Sequence, residues 1–399
     1  MTKERQKANL WKRLLLEGSL TKREIFYGKH PPRADALLLF VVLILVAYGS
    51  LMVFSASYAY AEQRYDDKYY FIGRQIIWVF LSIAVMAVAS LLRVEFYERM
   101  AFPLYGIVLL LLIAVLVIGQ MGNGAQRWIS LGPITIQPSE IAKTALVLVL
   151  ARYFSVMQEY ALEIRDKKRM LLWGTLIPFG FIGVVCLLVM LQRHLSGIII
   201  LGAIGIGMMF VSGIALRYLG YCTAAAGVGV TALALFTDYT KRRITIWLNP
   251  ELYPLDGGWQ TLQGLMAIGS GGFWGLGFGN SRLKFSYVSE PANDMIFTIL
   301  CEELGFIGAA GAILLFAIFI WRGIQIGLAC PNAFHRLTAI GITIKVGLQV
   351  ILNLAVVTNS IPNTGISLPF FSYGGSSMLM LLFEMGILLS ISRTSYVRK

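Results

Sequence analysis

Residues 289–310, SEPANDMIFTILCEELGFIGAA, begin as a polar turn and continue as the opening of a membrane-spanning helix. Four acids, Glu290, Asp294, Glu302 and Glu303, stand at or just inside the apolar boundary, where burying a charge in hydrocarbon is costly. Reading this stretch as a span sets the rest of the chain. The 399 residues are 57% hydrophobic and 14% charged. Their mean hydropathy is +0.71, an integral membrane composition rather than a soluble one.

Apolar runs of about 20 residues, enough to cross a bilayer, recur at 35–57, 72–92, 102–121, 136–156, 171–191, 196–213, 216–236, 296–321, 336–359 and 372–392. The expected fold is therefore an all-α, multi-pass membrane protein of about ten helices. Ala59-Tyr60-Ala61 mimics a signal-cleavage site. The apolar run before it is too long for such a signal, and nine more spans follow, so the first span is expected to be retained.

Lys and Arg set the orientation. They crowd the tail at 1–34, the loop holding Arg165, Lys167, Lys168 and Arg169, and the end at 393–399. Ten spans place all three on one side, the cytoplasm, with both termini inside. The polytopic domain then covers 35–392. A large extracellular loop at 237–295 lies between helices 7 and 8. Its middle, GLMAIGSGGFWGLGFGN at 264–280, is too broken for a spanning helix and is expected to dip into or lie along the interface. Its glycines are not a dinucleotide site, because no strand precedes them.

The formal charge of +13 is explained by this topology. No basic-aromatic module sits in any loop, so a nucleic-acid partner is excluded. Cys186, Cys222, Cys301 and Cys330 lie in or beside apolar runs without paired spacing, and His30, His194 and His335 form no zinc motif. No structural metal is expected.

Charges inside spans are functional candidates by default. Glu140 and Lys143 stand three apart, on one helical face; they read equally as a self-neutralising pair or as the lining of a polar cavity. Arg74 and Lys345 need partners, although Arg74 can also snorkel to the interface. Glu302 and Glu303 point about 100° apart on a helix and are not expected to share a site. Asp294 lies at the outer mouth of the eighth span. There it is either a partly desolvated carboxylate meeting a substrate or, with Asn293, a helix cap.

Five blocks carry a resemblance: RWISLGPITIQPSEIAK (127–143), WLNP (247–250), GGWQTLQGLMAIGSGG (257–272), EPANDMIFTILCEELG (290–305) and NTGISLPFFSYGGSS (363–377). Together and in this order they resemble the SEDS family of cell-wall polymerases, which comprises FtsW, RodA and SpoVE, and most of all the FtsW branch of Gram-positive anaerobes. The resemblance implies ten transmembrane helices and a peptidoglycan glycosyltransferase. Such an enzyme polymerises lipid II into β-1,4 glycan outside the cytoplasmic membrane, with undecaprenyl pyrophosphate leaving and the donor carbon inverted. It further implies a class B penicillin-binding protein as partner, and other proteins of the division or elongation machinery.

Residue by residue, the family's outer-face Asp falls on Asp294, its fourth-helix Glu and Lys on Glu140 and Lys143, and its Arg-Gln on Arg74 and Gln75. Asp294 is the implied base. Lys143, Arg74 and Lys284 are candidates to offset the pyrophosphate, as is a divalent cation such as Mg or Mn, and no other cofactor is implied. Ser376 and Ser377, opening the last helix, are candidates to line the outer end of a groove; small residues there serve close helix packing equally well. The chain departs from the family at QRHLSG (192–197), where Arg193, His194 and Ser196 replace Pro, Asp and Thr-type positions, and at Asn359, where relatives carry Gly. The rival reading is a lipid II flippase. It would use Glu140, Lys143 and Lys345 as a headgroup path but has no need of an acid in the outer loop.

Overall fold

The computed structural model describes residues 25, 32–122, 125–132, 134–161, 171–221, 223, 224, 227, 238–253, 257–285 and 291–395. Nine helices in it coincide with nine of the ten expected spans: α1 (Ala36–Tyr65), α2 (Tyr70–Leu91), α3 (Val94–Ile118), α4 (Pro138–Ala161), α5 (Leu172–Leu191), α6 (Leu195–Val211), α9 (Ile296–Leu328), α10 (Ala333–Val357) and α11 (Gly375–Ser392). Most of the expected span at 216–236, the basic loop at 162–170 and Glu290 lie outside the described residues. Two further helices, α7 (Asp238–Leu248) and α8 (Gly257–Ser270), belong to the large loop.

One feature is not helical. Between α3 and α4, strands β1 (Gln120–Gly122), β2 (Ala125–Leu131) and β3 (Ile134–Ile136) form a small antiparallel sheet in that order, with Ile129 opposite Ile136. The alternation in RWISL and ITI is the strand signal, and Gly132 turns the chain at φ +66°.

Helix α4 forms the centre. Every residue from Ala145 to Ala151 is buried, and α3, α6, α10 and α11 pack around it. Small residues let α11 approach α2. No side chain fits at Gly375, which abuts Trp78, nor at Gly386, which abuts Met86 and Ala89. Close packing is thus one real use of the glycines in the SYGGSS motif.

Helix α9 is interrupted. Gly305 adopts φ +63°, ψ −162°, and the ladder opens there. The loop at 271–284 then exchanges partners with it. Leu276 and Gly277 donate to the Glu302 and Glu303 carbonyls, while Phe306 and Ile307 donate to the Gly272 and Phe273 carbonyls. The two carbonyls and two N–H groups that a continuous helix would pair with each other are all satisfied by the loop.

The same loop corrects the expectation that Glu302 and Glu303 cannot serve one place. Ser281 Oγ donates to Glu302 while Ser281 N donates to Glu303 at 3.3 Å, and Arg282 N donates to Glu302 at 2.9 Å. Helical azimuth separates the two carboxylates, but the loop wraps the helix and meets both. Ser55 of α1 completes the cluster by donating to Glu303 at 2.6 Å.

Candidate functional site

Asp294 stands in a turn, Pro291–Met295, that leads into α9. Three hydrogen bonds seat this turn, and one more ties the segment below it to α10. Asn353, inside α10, donates its Nδ2 both to the Asp294 carbonyl at 2.8 Å and to the Ile366 carbonyl at 2.7 Å. Ser372 Oγ donates to the Asn293 carbonyl at 2.7 Å, and Tyr373 N to the Ala292 carbonyl at 2.8 Å. The segment 365–373 is therefore a brace running beneath the turn. Its Gly365, at φ +69°, places the position of an added Cβ 3.6 Å from Asp294 Oδ2. The cap position of α9 is Met295, which makes no side-chain capping bond, so neither Asn293 nor Asp294 occupies it.

Residues 367–370 and 372 of the brace line a small cavity of about 20 Å³. Glu140, Lys345, Gln349, Ser372 and Ser377 supply its polar lining, and Phe370, Met378 and Leu381 its apolar floor. Ser372 takes part in both features, donating to the turn while lining the cavity. The lining is mixed polar and apolar, and the enclosed space is about that of a single water.

Below the cavity, four charges are neutralised in pairs. Lys143 Nζ lies 2.7 Å from Glu140, and Lys345 Nζ lies 2.6 Å and 2.7 Å from the two oxygens of Glu384. Thr144 also donates to Glu384. Lys345 and Glu384 are almost wholly inaccessible, at 2% and 0%. Lys345 therefore has the partner its sequence position demanded. Glu384, in MLMLLFEMGILL (378–389), went unremarked in the sequence, although an acid inside an apolar span carries the same signal as Glu140.

The remaining candidates separate. Ser377 lines the cavity and donates to the Gly374 carbonyl at 3.1 Å. Ser376 sits beside it in the first turn of α11, half-buried. Arg74 is exposed at the start of α2, its guanidinium 4.3 Å above the Tyr70 ring. It also borders Tyr373, whose hydroxyl burial pushes above its ordinary value while the Arg74 charge opposes that shift. Gln75, next in sequence, is fully buried. Lys284 is not at this site. It is buried against Glu303 at 2.7 Å, with the Gly279 carbonyl at 2.7 Å and the Tyr58 ring at 4.4 Å, and holds the loop rather than a leaving group.

Two departures from the family pattern are explained. Asn359 adopts φ +56°, a left-handed conformation that Asn tolerates nearly as well as Gly. Its carbonyl accepts from Trp247 Nε1 at 2.9 Å, and Arg243 donates to the Asn363 carbonyl at 2.6 Å, so α7 docks against the entry to the brace. His194 sits between α5 and α6 within the field of Glu140 and Lys143. Burial, with Arg127 nearby, draws it down to about 4, against the pull of Glu140. Ser196 beside it donates to the Thr364 carbonyl and steadies the brace from the other side. Among the described residues no three His, Cys, Asp or Glu side chains converge on a point where a metal would be held.

Residues 35–397 match the profile of the family described as "Cell cycle protein", FtsW/RodA/SpoVE. Stage V sporulation protein E of Bacillus subtilis (strain 168) is 38% identical over 366 residues, covering 90% of this chain and 97% of that protein. Probable peptidoglycan glycosyltransferase FtsW of Geobacter sp. (strain M18) is 36% identical over 361 residues, covering 90% and 96%. These identities do not separate the FtsW branch from the sporulation branch. Among solved structures, a chain of a peptidoglycan synthase complex that coordinates polymerization and crosslinking superimposes with a TM-score of 0.75 at 29% identity, covering 92% of this chain and 99% of that one. The Thermus thermophilus rod shape determining protein RodA superimposes with a TM-score of 0.66 at 31% identity, covering 92% and 98%. By profile, sequence and fold alike, the chain belongs to the FtsW/RodA/SpoVE family of multi-pass membrane proteins.

Proposed function

We propose that this protein is a peptidoglycan glycosyltransferase that polymerises lipid II at the outer face of the cytoplasmic membrane, with Asp294 as its base. The observation that carries the reading is the seating of Asp294: a carboxylate outside the cap position, held by its backbone on a brace whose residues also line a small polar cavity. Relatives named as peptidoglycan glycosyltransferases support the chemistry. A single carboxylate suits it. The acceptor 4-hydroxyl gives its proton to Asp294 as its oxygen bonds to the anomeric carbon of the donor. The bond from that carbon to the pyrophosphate oxygen breaks with inversion, and the lipid pyrophosphate leaves as a stable anion without needing a general acid.

Arg74 is the candidate cation that stays exposed, in direct side-chain contact with Tyr373, whose backbone N–H holds the turn, and we assign it to the pyrophosphate. Lys143 is committed to Glu140 and acts through that pair on the shape and charge of the cavity. Ser377 and Glu140 line the small cavity beside the turn and are assigned to polar contacts with the headgroup. The fold shared with a synthase complex that couples polymerization to crosslinking supports a transpeptidase partner, a class B penicillin-binding protein.

A flippase would need intramembrane charges free to accompany a headgroup. Glu140, Lys143, Lys345 and Glu384 instead close on one another. The test uses purified protein with its partner and labelled lipid II, comparing wild type with Asp294→Ala and Asp294→Asn. Loss of the base predicts a fall of about 10²–10⁴-fold in glycan ladders. Ladders of equal strength from the mutants would remove Asp294 as base. Lipid II crossing liposome membranes with no ladder from any sample would hand the function to transport.

A further inference from the structure

The glycine-rich loop at 271–279 carries aromatic side chains that the described chain leaves about half or more exposed. Phe273 is 57% exposed, Trp274 78%, and Phe278 47%. An apolar tip of this kind on a loop expected outside the membrane requires an occupant.

Two helices measure its depth. Asp35 and Arg322, paired at 2.7 Å and largely buried, lie at the opposite ends of α1 and α9 from the Asp294 turn, and exposed Trp321 flanks them as interfacial aromatics do. This level marks the far interface. From Asp35 to Ser55 along α1 is 20 residues, about 30 Å at the helical rise, which is one hydrocarbon thickness. Ser55 donates to Glu303, so the Lys284–Glu303–Glu302–Ser281 cluster lies at the near boundary. From Arg322 back to Phe306 along α9 is 16 residues, about 24 Å. Phe306 therefore lies about 6 Å inside the near boundary of a hydrocarbon layer about 30 Å thick.

Phe273 stacks on Phe306 at 5.7 Å, and Trp274 meets Phe273 edge-on at 5.4 Å. The loop tip thus reaches below the charged cluster that holds its base. Its backbone is equipped for that depth, since the exchange of four hydrogen bonds at the Gly305 break leaves those groups satisfied without water. The segment 271–279, GGFWGLGFG, carries no charge. Its exposed rings continue the apolar face that α9 presents through Phe306, Ile307 and Leu314, at 62%, 45% and 60% exposure.

We infer that the loop is a re-entrant wedge, with Phe273 and Trp274 inserted at the headgroup–acyl boundary of the leaflet on the Asp294 side. Its partner is phospholipid. The Lys284–Glu303 pair is the clamp that holds the wedge in place, and the wedge ties the loop ahead of the Asp294 turn to the membrane surface. The inference rests on the spanning helices and is independent of the glycosyltransferase reading.

The test is fluorescence of the full chain in vesicles of ordinary or acyl-brominated phosphatidylcholine, wild type against Trp274→Phe. That variant keeps an aromatic ring at an exposed position, and an unchanged size-exclusion profile confirms its fold. The emission removed by the substitution isolates Trp274 from the other tryptophans. Expected is strong quenching of that difference emission by lipid bromine and little by aqueous iodide. Quenching by iodide and not by bromine would put the tip in water and overturn the inference. Quenching by neither would mean that protein, a second copy or another segment of this chain, covers it, and would overturn it equally.

Discussion

Removing one partner of the Lys345–Glu384 pair should destabilise the protein more than removing both. The side chains are 2% and 0% accessible, lie 2.6 Å apart, and belong to different helices, α10 and α11. Lys345→Met leaves Glu384 buried with Thr144 still donating to it, and Glu384→Leu leaves a buried ammonium. Each loss predicts a cost of about 3–5 kcal/mol, because the remaining charge is desolvated without its counter-charge. For a large chain, at roughly 2 °C per kcal/mol, that lowers the midpoint of thermal inactivation by about 6–10 °C. The double variant Lys345→Met/Glu384→Leu replaces the pair with apolar side chains of similar volume, and should recover most of the loss. The assay is the fraction of monodisperse protein surviving a heat ramp in detergent, run for all four corners of the cycle. If the double variant loses the sum of the two single losses, the side chains are not coupled. The account of the charges beneath the cavity would then be wrong.

Three further outcomes follow from the geometry. Gly271→Ala places a Cβ against the Cys301 carbonyl and should undock the loop, costing roughly 4 kcal/mol for four exchanged hydrogen bonds at about 1 kcal/mol each. Gly269→Ala, with nothing within 4 Å, should be neutral or slightly stabilising in the same heat ramp, and equal behaviour of the two would refute the docking. His194 is held down to about 4 from an ordinary 6.5. The unfolded chain therefore binds a proton that the folded chain refuses, and stability should fall as pH drops from about 6.5 to about 4 and be unaffected by this group above that window. His194→Asn should flatten that slope, and parallel curves would exclude the group. Arg74→Ala should raise the half-saturating lipid II concentration by roughly 10–150-fold, the span of a hydrogen bond to a charged group worth about 1.5–3 kcal/mol. A fall in maximal rate alone would argue against a binding role.

What the sequence determined by itself was the fold class and the ingredients of the site. Insertion into a bilayer is close to a sum of local transfer free energies, so each span is written in its own 20 residues, and nine of the expected ten coincide with described helices. Asp294 was legible for a similar reason, as an acid where a turn meets a span. The small sheet is not legible in the sequence, because its strands of three to seven residues are too short to stand out between two apolar spans. What the tertiary structure decided was which charge meets which. Lys345 finds Glu384 39 residues on, Lys284 finds Glu303 rather than a leaving group, and Ser55 reaches Glu303 across 248 residues. Ser281 draws Glu302 and Glu303 to one place although helical azimuth separates them. Such pairings depend on the depth and rotation of helices relative to one another, and the free energy of a buried charge is set by those distant neighbours. Hydropathy, a property of each segment alone, holds no record of them.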